Sequence, residues 1–73
     1  MNKKFPNLEA ELARKGIQRK DIAEKIGVRV ATVSDKLNGK YPFTLDEATA
    51  IKNIFFPNLS MDYLFSEVAN MAV

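Results

Sequence analysis

Apolar residues recur along the chain at the three- and four-residue spacing of amphipathic helices. No stretch shows the alternation of apolar and polar residues that is typical of a half-buried strand. Five helices are predicted, over approximately residues 8–15, 19–26, 30–37 and 45–55, with a fifth that begins at residue 61. The pattern therefore predicts an all-α fold.

Residues that commonly start or end helices flank these segments. Asn7 is predicted to be the N-cap of the first helix, and Gly16 its left-handed C-terminal residue. The sequence "TLDE" predicts a capping box, in which the Thr44 hydroxyl accepts from the Glu47 N–H while the Glu47 side chain accepts from the Thr44 N–H. Ser60 is the expected cap of the fifth helix. The fourth helix is predicted to bury a stripe made of Leu45, Ala48, Ile51 and Phe55.

The second and third helices are separated by only three residues, "GVR". This link is too short for an antiparallel hairpin and favours the sharp crossing of a helix-turn-helix motif. Ala23 is small enough to let the two backbones approach, and Gly27 supplies the positive φ that the turn needs. The residues predicted to pack this crossing are Ile22, Ala23, Ile26, Gly27, Val28, Val33 and Leu37.

Composition narrows the possible functions. The 73 residues allow one domain, and 47% apolar with 27% charged residues is ordinary globular composition. The chain has no cysteine and no histidine, which removes thiol nucleophiles, disulfides and most zinc sites. No cofactor, metal or small-molecule ligand is predicted, and no enzyme activity is expected. No apolar run approaches the length of a membrane span, so we expect a cytoplasmic protein without membrane contact.

Charge is distributed unevenly along the chain. The formal net charge is +2, but residues 1–40 hold ten of the eleven Lys and Arg residues and five acids, a net charge of +5. Residues 41–73 carry a net charge of −3. This division favours a basic surface that attracts a polyanion. The alternative is that the two halves of the sequence do not form two sides of the fold.

The segment "DIAEKIGVRVATVSDKLNGK" resembles the phage-repressor and Cro-like helix-turn-helix proteins, the XRE family. The resemblance covers about residues 7–65, "FTLDEATAIKNIFFP" fits the family's fourth helix, and the chain is similar to small prophage-type members. It implies a compact five-helix bundle of the lambda-repressor-like type that binds operator DNA, usually as a dimer, with the third helix in the major groove. The chain departs from many relatives in having Arg19 in place of Gln and Arg29 in place of Ser.

The third helix carries short side chains suited to reading base edges. Val30 and Ala31 are candidates for contact with thymine methyl groups, and Thr32 and Ser34 for donating or accepting hydrogen bonds. Asp35 is a candidate acceptor for the amino group of cytosine. The alternative is a solvated helix face that carries small residues for no functional reason.

Phosphate contacts are predicted around this helix. Arg19 begins the second helix, where the helix dipole favours an anion, and the residues after the third helix meet the sugar-phosphate strand in the family. The candidate phosphate contacts are Arg19, Arg29, Lys36, Asn38, Lys40 and Tyr41. Residues 1–6 are an expected N-terminal arm, whose lysines are alternatively just solvated. The five phenylalanines are interpreted as core residues rather than as base-stacking platforms.

The sequence is interpreted as one helix-turn-helix domain, residues 1–73, that binds double-stranded DNA as a small transcriptional regulator, a phage or prophage-type repressor or a Cro-like protein. The alternative is a protein-interaction module that keeps the fold without binding DNA.

The C-terminal tail, residues 66–73, is unusually apolar. If the fifth helix continues through it, Met61, Leu64, Val68 and Met71 or Ala72 form one stripe. A symmetric partner would cover that stripe and give a homodimer on a palindromic operator. The alternative is a tail that folds back on its own domain.

Overall fold

Five α-helices account for most of the protein in the computed structural model, which describes residues 4–68. Their bounds are α1 Pro6–Lys15, α2 Arg19–Ile26, α3 Val30–Leu37, α4 Leu45–Phe55 and α5 Met61–Leu64. No strand occurs within residues 4–68, so the predicted all-α class is confirmed.

The helices enclose one hydrophobic core. Val33 and Leu37 of α3, Ile51 of α4 and Leu64 of α5 are fully buried in it. The cluster of buried apolar side chains comprises Phe5, Leu8, Leu12, Ile22, Ala23, Val33, Leu37, Ile51, Phe56 and Leu64. Since α3 contributes two fully buried side chains, its rotation about its own axis is fixed by the core.

The turn between α2 and α3 forms because Gly27 takes a left-handed conformation, with φ of 76°. The Ala23 carbonyl accepts hydrogen bonds from both the Gly27 N–H at 2.9 Å and the Val28 N–H at 3.0 Å, which closes the end of α2. Ala23 is buried, while Ile26 and Val28 are partly buried against the core. This arrangement brings α3 across α2 within three residues.

The start of α1 differs from the prediction. The helix begins at Pro6, and the N-cap residue is Phe5 rather than Asn7. Proline fits the first helical position because its missing N–H would have no partner there. Asn7 is buried inside the first turn, and its Nδ2 donates to the Tyr63 carbonyl at 2.9 Å. Phe5 is also buried, so residues 5 and 6 are part of the folded domain rather than of an N-terminal arm.

The capping box of α4 is confirmed. The Glu47 N–H donates to Thr44 Oγ1 at 3.1 Å, and the Thr44 N–H donates to Glu47 Oε1 at 2.9 Å. The predicted buried stripe is only partly correct, because Leu45 is 76% exposed whereas Ala48 and Ile51 are buried. Leu45 is the first residue of the helix and lies ahead of the turn that packs against the core.

The fifth helix is short. Ser60 Oγ accepts from the Tyr63 N–H at 3.1 Å, as predicted for its cap, but the helix ends at Leu64. The predicted continuation is wrong for residues 65–68, where Ser66 Oγ and the Val68 backbone form a local turn and Val68 is 74% exposed. Met71 and Ala72 of the predicted stripe lie outside the described residues.

A buried carboxylate joins α1 to α5. Glu11 Oε2 accepts from Tyr63 Oη at 2.8 Å and from Arg14 Nη1 at 2.6 Å. The hydrogen bond from Tyr63 lowers the pKa of Glu11, and the bond from Arg14 adds to this effect against the opposing influence of burial. The same bond raises the pKa of Tyr63, because the phenol must lose its proton beside a carboxylate.

Removal of the Tyr63 hydroxyl is expected to make the protein less sensitive to acid. A lowered pKa of Glu11 in the folded state stabilises the fold at neutral pH, and this contribution is lost as the pH falls through that lowered pKa. Tyr63→Phe should therefore lower the free energy of unfolding at neutral pH and flatten its decline in acid. Urea unfolding across this pH range measures both effects. Tyr41→Phe, an exposed tyrosine without this bond, is the control, and equal acid profiles for the two variants would contradict the assignment.

Candidate nucleic-acid interface

The outward side of α3 presents short side chains. Val30 and Ala31 are exposed, and Thr32, Ser34 and Asp35 are half-buried along the flanks of the helix. Within residues 4–68, the side chains of Thr32, Ser34 and Asp35 make no hydrogen bond or ion pair. Their polar atoms are therefore available to an external partner, and short side chains permit a close approach to the helix.

The segment after α3 is held against the end of that helix. The Asn38 N–H donates to the Ser34 carbonyl at 2.9 Å, and the Lys40 N–H donates to the Asp35 carbonyl at 2.8 Å. Gly39 between them has φ of 87°, which turns the chain out of the helix. Asn38, Lys40 and Tyr41 consequently lie exposed in a fixed position beside α3.

Two of the cations near α3 point into solvent. Arg29, the N-cap residue of α3, is exposed at one end of the helix, and Lys40 is exposed at the other. The Lys40 ammonium lies 5.7 Å from the centre of the Tyr41 ring, a distance that allows a weak cation–π contact. The two charges therefore bracket the polar face of α3.

Arg19 lies at the first position of α2 with its guanidinium partly exposed. Its Nη2 is 3.3 Å from Oε2 of Glu9, a largely buried carboxylate on α1. A groove of about 530 Å³ opens beside this pair, between the second half of α1 and the starts of α2 and α3. Glu9 thus fixes the direction of Arg19 from a neighbouring helix.

Lys36 is oriented differently from the other candidate cations. Its side chain is only 13% exposed, and its ammonium is bonded to Oε1 of Glu47, whose side chain is 17% exposed. The pair ties α3 to the first turn of α4. Lys36 therefore faces α4 rather than the side on which Arg29 and Lys40 are exposed.

Neither carboxylate partner was identified from the sequence as part of the site. Glu9 and Arg19 are ten residues apart, and Lys36 and Glu47 are eleven apart, each pair on two different helices. Only the three- and four-residue spacings within one helix predict ion pairs from sequence. These two pairs become visible only when the packing of the helices is known.

Residues 8–56, which are 49 of the 73 residues, match the model of a helix-turn-helix family. The chain belongs to the XRE-type helix-turn-helix family. The match runs from the first turn of α1 to the residue after α4 and includes every candidate base-reading and phosphate-contacting residue. Family membership confirms the lambda-repressor-like fold predicted from the sequence and identifies the protein as a DNA-binding one. No curated protein and no solved structure matches the chain significantly.

Residues 4–68 contain no group of three or more acidic, histidine or cysteine side chains placed to hold a metal ion. None of the helices described is both long and apolar enough to cross a membrane. The exposed face of α3 remains the strongest candidate for a functional surface.

Proposed function

We propose that the protein is a small sequence-specific transcriptional regulator, a phage or prophage-type repressor or a Cro-like protein, that places α3 in the major groove of double-stranded DNA. The observation that carries the proposal is the outward face of α3, which directly follows the Gly27 turn and whose polar side chains make no hydrogen bond or ion pair within residues 4–68. The major groove admits one α-helix and displays a distinct pattern of donors, acceptors and methyl groups for each base pair.

Two classes of contact follow from this placement. Residues on the face of α3 read base edges, and exposed groups at its two ends and at the start of α2 hold the phosphates. The proposed base-reading residues are Val30, Ala31, Thr32, Ser34 and Asp35. The proposed phosphate-contacting residues are Arg19, Arg29, Asn38, Lys40 and Tyr41. Lys36 is omitted from the second set because its side chain is only 13% exposed and its ammonium is bonded to Glu47, whereas the Arg19 side chain stays 40% exposed beside Glu9.

The proposal extends to a homodimer on a palindromic operator. Dimeric helix-turn-helix proteins place two recognition helices about 34 Å apart, so that each half-site meets one subunit. A palindromic motif among bound sequences, with half-sites about one helical turn apart, would support this arrangement.

Alanine substitutions are expected to separate the two contact classes. Arg29→Ala and Lys40→Ala should weaken binding to specific and random duplexes alike, and each should reduce the slope of log K against log salt by about 0.9. Ser34→Ala and Asp35→Ala should instead change discrimination at one or two base pairs by about 1–3 kcal/mol. Fluorescence anisotropy with duplexes that differ at single positions, measured over a salt series, gives both quantities.

Lys52→Ala is the matched control, since it removes one positive charge from the last turn of α4. It should leave the salt slope close to that of the natural protein. The assignment of roles is wrong if the two classes behave alike, or if Lys52→Ala reduces the slope as much as Lys40→Ala. Absence of any salt-dependent DNA binding by the natural protein would favour a protein-interaction module instead.

A further inference from the structure

Lys36 is a basic residue of the proposed recognition helix whose charge is turned away from solvent. It lies in the last turn of α3, just ahead of the segment that carries Lys40 and Tyr41. Its side chain is nevertheless only 13% exposed, because its ammonium is bonded to Glu47 of α4. A cation this close to proposed phosphate contacts would ordinarily strengthen DNA binding.

The carboxylate of Glu47, which binds the Lys36 ammonium, is itself held in place by the capping box of α4. The oxygen that binds Lys36, Oε1, also accepts from the Thr44 N–H at 2.9 Å, and the Glu47 N–H donates to Thr44 Oγ1 at 3.1 Å. Burial alone would raise the pKa of Glu47, but the bonds from Lys36 and Thr44 outweigh it and lower the pKa. The carboxylate therefore carries its charge at neutral pH.

We propose that Glu47 limits the sequence-independent affinity of the protein for DNA by withholding the Lys36 ammonium from the phosphate backbone. This inference rests on the proposed function, since it requires that α3 approach DNA. Phosphate contacts strengthen binding to any duplex and carry no sequence information. An ion pair that occupies one cation thus reduces binding to random DNA and leaves the base-reading face of α3 unchanged.

The surroundings of Lys36 leave room for its ammonium to move when Glu47 is replaced by a neutral residue. An open groove of about 590 Å³ lies beside the pair, and its lining includes Gly39, Tyr41 and Thr44 as well as Lys36. Glu47 is the only counter-ion of Lys36 within residues 4–68, and a largely buried cation that loses its counter-ion is strongly destabilised where it lies. The four-carbon stem of lysine lets the ammonium turn through this groove towards Tyr41, one of the proposed phosphate contacts.

Glu47→Gln is the decisive variant, because glutamine also fits the third position of a capping box and preserves the start of α4. Asp46→Asn is the matched control: it makes the same change in net charge at the adjacent residue, which is exposed and has no ion pair within residues 4–68. Affinity for a random duplex is measured across a salt series for both variants, the natural protein and Lys36→Met/Glu47→Gln.

Glu47→Gln is expected to steepen the slope of log K against log salt by about 0.9. Its advantage over the natural protein should grow ~3.5-fold for each fourfold dilution of salt, which follows from that slope. Its melting temperature should fall, so stability and DNA affinity change in opposite directions, which a merely structural role for Glu47 does not produce. Asp46→Asn should keep the natural slope, and the double variant should return to it.

The proposal is overturned if Glu47→Gln is folded and has the same slope as Asp46→Asn, or if the double variant keeps the steeper slope. Lys36→Met alone gives a second test that does not depend on the folding of Glu47→Gln. It should leave the natural slope unchanged, whereas Lys40→Ala should reduce it, and a reduction of about 0.9 in Lys36→Met would overturn the proposal. A natural protein that shows no salt-dependent binding to DNA would overturn the proposed function itself.

Discussion

Phe56→Ala is expected to lower the free energy of unfolding by about 3–5 kcal/mol. The ring is 1% exposed and lies among the largest fully buried side chains, and the Lys15 ammonium is 5.1 Å from its centre. A domain of this size has roughly 4–11 kcal/mol of stability in total, so the expected loss is a large fraction of it. Urea unfolding monitored by circular dichroism measures the loss.

Phe55→Ala provides the matched control, since it removes the same side chain one position earlier. Phe55 is only partly buried against the core, so its truncation should reduce stability by a smaller amount. A loss at Phe55 equal to or greater than that at Phe56 would show that the end of α4 is packed differently from the structure described.

Ala31→Glu is expected to reduce specific DNA binding by about 100-fold while leaving the fold intact. Ala31 is exposed at the second position of α3, the first turn of which contains no acidic residue. A carboxylate there interacts favourably with the helix dipole, so stability should hold or rise slightly. In the proposed complex the same carboxylate lies among bases and phosphates, where it repels the DNA.

The control for this charge is Ala10→Glu, which adds the same carboxylate to an exposed position on α1. It should bind DNA within a few-fold of the natural protein, because only the net charge changes. Both variants are compared by melting temperature and by anisotropy with a selected duplex. Loss of binding that is equal in the two variants would mean that α3 has no special position on the DNA.

Much of the fold was predictable because its signals are local. The Thr44–Glu47 capping box involves residues three apart, and the three-residue link at Gly27 restricts how α2 and α3 can cross. The apolar spacing likewise gave the bounds of α2 and α3, because their buried residues repeat at helical intervals.

The errors arise where tertiary packing competes with a local signal. Asn7 has the side chain of an N-cap, but its amide is used by the distant Tyr63 carbonyl, and Phe5 takes the cap position while burying its ring. Leu45 fits an apolar stripe, yet it lies at the first position of α4 and is exposed. A single sequence does not specify such contacts between distant segments.

The candidate site was predictable in its position but not in its electrostatics. The helix-turn-helix pattern identifies α3 and the cations around it, but it does not specify how the side chains of those cations are oriented. The packing of the helices makes these cations differ in exposure, because Lys36 is bonded to Glu47 of α4 while Lys40 is exposed. The charge of each side chain follows from the sequence, whereas its availability to DNA depends on partners supplied by other helices.

Residues on the face of α3 are proposed to read the sequence of DNA. Selection of bound duplexes from a random pool tests this claim most directly when the natural protein, Ser34→Ala and Asp35→Ala are run in parallel. The natural protein should enrich a defined motif, and each variant should change the preference at one or two base pairs while keeping the others. Failure of the natural protein to enrich any motif, or recovery of an unchanged motif by both variants, would contradict the claim.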